Sequence, residues 1–457
     1  MRIPLRWGSR AVGQVEWQAV CPRSPAREVL ILAHTPLMDR REFVRHSALF
    51  ATTALLPAGL SAATTSASGV QLGIDVLASR GFDTLRGVRC GLLTHRAGVS
   101  ADGRRTIDIL ATAPGVRLTK LFGPEHGIDG KAAAEKSVST MRDGRTGLPA
   151  YSLYGETRRP TAAMLEGIDV MVIDLQDIGS RSYTYISCMR YVIEACFSFP
   201  RPIRVVVLDR PNPLGGEKVD GPGLDLKWKS YVGAYPMPYV HGLTIGEIAR
   251  WAVSTPGVLE LDDATRKRGV LQVIPMQGWR RDMTWDRTGL NWIPTSPRIP
   301  THVAAFGYAM VGLGCQLGDF RHGYGLEMPF RFLSYRKKRA ADIVEALGSR
   351  IPGLTLSPRT MTDGTQGVYT TVTDWRILKP CSVSPHLLRQ ACEWGGNPCP
   401  QATRNERDLF IKHWGRESIF ETFKRDGMRT DVDAMVRGWT AECAQFRDST
   451  AYARIYT

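Results

Sequence analysis

Glu125 and His126 stand side by side in Gly123-Pro124-Glu125-His126-Gly127, a carboxylic acid and an imidazole held between glycines and a proline. Such a turn fixes the backbone and points adjacent side chains away from the element before it. A carboxyl group placed this way could give or take a proton, and the imidazole beside it could tune that exchange or bind an anion. Three other apolar runs in the same half of the chain also end in polar residues. Thr94 and His95 close one. Asp174, Gln176, Asp177 and Arg181 follow a second, with Tyr183 just beyond. Asp209, Arg210 and Asn212 follow a third. An acid after a strand often caps the next helix, so Asp174 and Asp209 carry that structural reading beside the chemical one. His241 ends a rigid aromatic loop, Tyr235 to His241, and joins the set as a substrate-binding candidate.

The elements that must position these groups can be read from the hydrophobic pattern. Short apolar runs at 88–95, 116–122, 169–175 and 203–209 predict buried strands. Helical stretches are predicted from Thr161 to Glu166, after Pro160, and from Tyr183 to Phe197. Apolar strands alternating with helices imply an α/β fold with a parallel sheet covered on both faces. Ligands bind such sheets at the carboxyl ends of the strands, which would bring the polar groups to one rim. Further on, Thr244 and Glu247 form a capping box for a helix, and 271–276 predicts a strand. Trp279, Trp285 and Trp292 lie in loops that could stack on sugar rings, although tryptophan is more often core. Residues 301–457 read as mixed α/β, with final helices over 407–423 and 432–446.

Several chemistries are disfavoured. No GxGxxG follows the first strand, and neither a GxSxG elbow nor a Walker A sequence is present, so no nucleotide cofactor is expected. No metal-spaced His pair and no CxxC occurs. A metal-dependent hydrolase built on Glu125, His126, Asp174 and Asp177 is therefore poorly supported, and no metal is expected. The net charge of +15 over 457 residues suits an anionic partner such as an acidic cell-wall polymer. No basic cluster interleaves with aromatics, which argues against nucleic acid. Cys381, Cys392 and Cys399 lie close together, and one disulfide among them is expected if the compartment oxidises thiols.

At the front, Arg40-Arg41 precedes the short apolar core Ala48 to Leu60 and the small residues Ser61 to Ala63. This is the layout of a twin-arginine export signal over 38–67, which would make the mature protein periplasmic or secreted. Residues 1–37 have no organised pattern and read as an extension upstream of Met38. No later segment is apolar enough to span a bilayer.

The motif set resembles one family. Gly91 to Gly98, Phe122-Gly123-Pro124-Glu125-His126-Gly127, Leu148 to Pro160, Asp174 to Tyr185, Asp209 to Pro213 and Val240 to Thr244 are similar to the exo-β-N-acetylmuramidases of the NamZ type. The resemblance runs from about residue 70 to the C-terminus. It implies a Rossmann-like parallel-sheet N-terminal domain, placed at 70–250, and a smaller α/β C-terminal domain at 251–457 closing a cleft. The implied activity is release of terminal N-acetylmuramic acid from the non-reducing end of peptidoglycan fragments, with muramyl saccharides as partners. The implied catalytic acid falls on Glu125. On this reading His126, Asp174 and Asp177 assist catalysis. His126, Arg181 and Arg210 bind the lactyl carboxylate. His95, Gln176, Tyr183, Asp209, Asn212 and His241 complete the substrate site. A muramyl-ligand receptor without turnover is the rival reading. The chain departs from the family pattern at His95-Arg96, at Thr295-Ser296-Pro297-Arg298 and in the glycine-rich stretch 314–323.

Overall fold

The computed structural model describes residues 69–130, 141–155, 157–313 and 317–457. The extension 1–37, the twin-arginine segment 38–67 and part of the glycine-rich stretch 314–323 lie outside the described residues.

Seven strands build the main sheet: β1 (Arg89–Thr94), β2 (Arg117–Gly123), β3 (Met141–Arg142), β4 (Pro149–Ser152), β5 (Val170–Asp174), β6 (Arg204–Leu208) and β7 (Leu271–Ile274), in the order β3-β4-β2-β1-β5-β6-β7. Every pairing is parallel except β3 with β4. A smaller antiparallel sheet, order β10-β11-β9-β8, is formed by β8 (Phe320–Arg321), β9 (Phe332–Tyr335), β10 (Leu354–Thr360) and β11 (Gln366–Val372). β7 lies beyond residue 250, where the sequence reading divides the chain, and it is the last strand of the main sheet.

Side chains of successive strand residues point to opposite faces, and here the alternation sorts two cores. Leu92, Leu121, Val172, Val206 and Ile274 pack against α1 (Gly73–Ser79) and α2 (Thr106–Thr112). Between α2 and the next long helix comes the single turn α3 (Ala162–Leu165). Leu93, Phe122, Ile173, Val205 and Val207 pack on the other face, against α4 (Thr184–Ser198) and α5 (Ile245–Ser254). Both faces are covered at the centre of the sheet, so β5 and β6 are apolar along nearly their whole length, as the sequence pattern required. The capping box at α5 forms as expected: Thr244 Oγ1 accepts the Glu247 N–H, and Glu247 accepts the Thr244 N–H.

The main departures have local causes. β3 and β4 add two strands between the second and third apolar runs; two residues are too few to show a period, and Pro149 looks like a turn. The helix expected over 407–423 is two helices, Arg404–Trp414 and Glu417–Asp426, separated at Gly415, whose φ of 83° ends the first. Cys381, Cys392 and Cys399 are buried free thiols, which corrects the expected disulfide.

Candidate active site

In the main sheet β2, β1, β5 and β6 are neighbours, and Thr94 at the end of β1 lies in register with Asp174 at the end of β5. The polar strand ends therefore do meet along one edge. What they do there divides into two groups.

The first group surrounds Glu125. β2 ends at Gly123, where the chain folds back so closely that a Cβ would lie 2.8 Å from the Ile128 nitrogen. His126 (φ 70°) and Gly127 (φ 73°) both take left-handed backbone, uncommon for a histidine and found most often where function holds a strained turn. Glu125 is half-buried, and the Thr184 hydroxyl donates to its Oε2 at 2.8 Å. Thr184 is the first residue of α4, so the carboxyl group sits at the positive end of a helix. Tyr308 is pushed up to about 12, chiefly by burial, with the charges of Glu125 and Asp177 adding to the rise. Its ring thus lies in the fields of both carboxyl groups. Ser182 bonds the hydroxyls of Tyr308 and Tyr239 at 2.9 and 2.8 Å. The Tyr183 and Tyr185 hydroxyls donate to Thr295 Oγ1 (2.8 Å) and the Thr295 carbonyl (2.5 Å), which ties the loop 295–298 to the head of α4.

Asp177 is buried but incompletely satisfied. Its Oδ2 accepts the Gly179 N–H at 2.8 Å, while its Oδ1 has no hydrogen-bond partner. His241 Nδ1 accepts the Leu243 N–H, which leaves the ring proton on Nε2. That nitrogen is 3.4 Å from Asp177 Oδ2, within ion-pair reach but without hydrogen-bond alignment. A buried carboxylate oxygen without a partner is costly, and such atoms mark places built to receive a donor. His95 is buried beside this group. Its Nε2 accepts the Gln176 N–H at 2.9 Å, and burial, then the nearby Arg210 charge, drive its pKa down to about 3, so it is neutral. The Gln176 amide donates to the Asp177 and Pro211 carbonyls. Gln176 also lines a cavity of about 80 Å³ with Ser100, Arg210 and Trp285; Glu125 is not among its walls.

The second group is structural, which corrects five expectations. Asp174 is fully buried and accepts from Arg210 Nε (2.5 Å) and Nη2 (2.9 Å) and from the Thr106 hydroxyl (2.5 Å). Arg210 also donates to the Val99 carbonyl, so this pair neutralises itself beneath the rim, and only the remaining edge of the guanidinium borders the cavity beside Gln176. Arg181 is 0% exposed and donates to the carbonyls of Pro222, Met237 and His413; it staples backbone segments and has no face for a substrate carboxylate. Asp209 accepts from Thr244, Gly246 and Tyr456, anchoring α5 and the C-terminus. Asn212 is closed by the Leu243 carbonyl and the Leu214 N–H.

Thr184, Tyr308 and Tyr231 escaped the sequence reading. Tyr-Thr-Tyr at a helix start carries no sign of function by itself, and Tyr231 and Tyr308 come from distant segments. Among the described residues, no group of three His, Cys, Asp or Glu side chains is placed to hold a metal ion.

Comparisons bear on these geometric facts. Residues 90–303 match the family model described as exo-beta-N-acetylmuramidase NamZ, N-terminal, and residues 306–456 match its C-terminal counterpart. The peptidoglycan beta-N-acetylmuramidase NamZ of Bacillus subtilis is 39% identical over 294 residues, covering 64% of this chain and 68% of that protein. The fold is similar to a crystal structure of a DUF1343 family protein from Bacteroides fragilis, with a TM-score of 0.75 and 33% identity, over 85% of this chain and 99% of that one. A second DUF1343 family protein from Bacteroides fragilis has a TM-score of 0.64 with the same coverages, and at 24% identity it speaks for the fold alone.

Proposed function

Since the chain belongs to the exo-β-N-acetylmuramidase NamZ family, we propose that it is a glycosidase releasing N-acetylmuramic acid from the non-reducing end of peptidoglycan fragments, with Glu125 as its general acid/base. The observation that carries the assignment of Glu125 is its setting: a half-buried carboxyl group on a turn with left-handed backbone, fixed by the Thr184 hydroxyl at the start of α4.

Glycoside hydrolysis needs a proton on the leaving oxygen as oxocarbenium-like charge develops at the anomeric carbon. Glu125 delivers that proton to the glycosidic oxygen, and then takes one from the water that completes the reaction. Thr184 holds Oε2, so the carboxyl group cannot rotate freely away from the bond it serves. Asp177, with an unpartnered Oδ1 beside Tyr308 and Tyr183, accepts a donor from the substrate, such as the acetamido N–H. His126 stands next to Glu125 on the same turn and borders the anionic substrate. Tyr308, which is only part-buried, supplies an apolar face for the sugar ring, and the buried Tyr183 packs behind it.

The test is incubation with two fragments, one ending in N-acetylmuramic acid and one in N-acetylglucosamine at the non-reducing end, followed by mass analysis. Free N-acetylmuramic acid is expected from the first and no sugar from the second. Binding of both without product would favour a receptor. The twin-arginine pattern at Arg40-Arg41 supports action outside the inner membrane, which cell fractionation of the full chain checks.

A further inference from the structure

An N-acetylmuramyl group differs from N-acetylglucosamine by a lactyl ether bearing a carboxylate. A site specific for it needs a cation with free donors; burial closes Arg181 off, and Asp174 already neutralises Arg210. Three exposed arginines remain on segments next to the Glu125 turn or the head of α4: Arg96, Arg158 and Arg298. The Arg96 stem packs along Gly130. Arg158 lies with its guanidinium carbon 4.5 Å from the centre of the Tyr231 ring and 5.8 Å from that of Tyr154. No carboxylate among the described residues forms an ion pair with Arg158, whereas its neighbour Arg159 is paired with Glu194.

Tyr231 links Arg158 to the reaction centre. It is buried, and its hydroxyl donates to the Leu153 carbonyl at 3.4 Å, while the Leu153 N–H donates to the carbonyl of Gly123, two residues before Glu125. Tyr191 stacks against it at 5.9 Å and Tyr154 lies at the same distance. The result is a cluster of three tyrosine rings beside the strand that leads into the Glu125 turn, with a guanidinium laid over it. A guanidinium held on a ring loses little freedom when it binds, and its planar edge matches a carboxylate in a bidentate fit. No ring lies under Arg96 among the described residues, and Arg298 lies over Tyr324, whereas the ring under Arg158 is bonded through Leu153 to the strand end that carries Glu125.

We propose that Arg158 binds the lactyl carboxylate of the substrate and so sets specificity for muramyl over glucosaminyl ends. This rests on the muramidase reading and adds a recognition residue to it.

The test uses the full chain with 4-nitrophenyl β-N-acetylmuramide and its lactyl methyl ester, which keeps the shape and removes the charge. Wild-type protein is expected to prefer the acid over the ester by about 10- to 100-fold in kcat/KM, the range of a charge-assisted hydrogen bond. Arg158→Gln is expected to raise KM for the acid by a similar factor, leave the ester unchanged and keep kcat within a few-fold. Arg158→Lys should recover part of the preference. A preference that survives in Arg158→Gln overturns the inference, as does a loss that is equal for acid and ester, or one produced by Arg96→Gln instead. Wild-type protein inert towards both substrates overturns the muramidase reading and this inference together.

Discussion

Thr184 separates positioning from proton transfer at Glu125. Its hydroxyl is the donor that fixes Oε2, and it has no proton to give the sugar. Thr184→Val is expected to lower kcat about tenfold, the upper end for a single hydrogen bond, with KM nearly unchanged. Thr184→Ser should restore the rate. A rise in KM with unchanged kcat would place Thr184 in binding instead. The residue scale is also where the sequence was least informative. Glu125-His126 could be picked out because glycine and proline bracket them. Asp174, Asp209 and Arg210 have the same kind of neighbourhood, yet their polar atoms are closed by one another, Thr106, Thr244 and Tyr456. Nothing in a strand-end acid reveals whether a buried arginine already neutralises it, since the partner comes from another strand. Arg181 is the clearest case: guanidinium chemistry suggested a substrate carboxylate, and three backbone carbonyls occupy it.

At the scale of elements, that staple makes a prediction of its own. Arg181 joins the head of α4 to the segments carrying Pro222, Met237 and His413. Arg181→Met would leave buried carbonyls without donors, at a cost of at least about 3 kcal/mol. A urea titration should show that loss, while KM of the protein that remains folded stays at the wild-type value. A raised KM with stability intact would return Arg181 to the substrate site. Strand order was largely legible at this scale. Four apolar runs ending in polar residues imply a parallel sheet with a common rim, and β2, β1, β5 and β6 are indeed adjacent. Their order along the sheet was not legible, because it depends on crossovers that local pattern does not record. β7 pairs with β6 after an intervening stretch of loops and two helices, so a division at residue 250 cuts a sheet that the chain has not finished.

The whole molecule is tied together by its last residues. Tyr456 donates to Asp209 and accepts the Met276 N–H, the Ile455 N–H donates to Glu247, and the Thr457 carbonyl accepts the Arg281 N–H. The final strand of the main sheet and the C-terminus thus close on one another. Acid should loosen this assembly. Burial lowers His95 to about 3 and His322, His386 and His413 to about 4, so these rings stay neutral in the fold and charge only when it opens. Between the unfolded value near 6.5 and about 4 the unfolded chain binds more protons, and stability falls as pH falls. Asp209, raised to about 6 by burial, works the other way, gaining stability as pH drops from 6 towards 3.8, and Asp75 and Asp220 are raised by burial too, but these are three groups against five lowered histidines, His302 being the fifth. The urea midpoint is therefore expected to decline from pH 7 to pH 4.5. A midpoint that holds or rises would contradict the neutral, buried state of these histidines.

The central claim is that Glu125 protonates a sugar leaving group, and leaving-group dependence in Glu125→Gln tests it most directly. An N-acetylmuramyl-glucosamine disaccharide departs poorly without a proton, whereas 4-nitrophenolate departs readily. The variant, shown folded by its urea midpoint, should lose about 10²- to 10⁴-fold in rate on the disaccharide and far less on the nitrophenyl glycoside. A folded Glu125→Gln protein that cleaves the disaccharide at the wild-type rate would contradict the account.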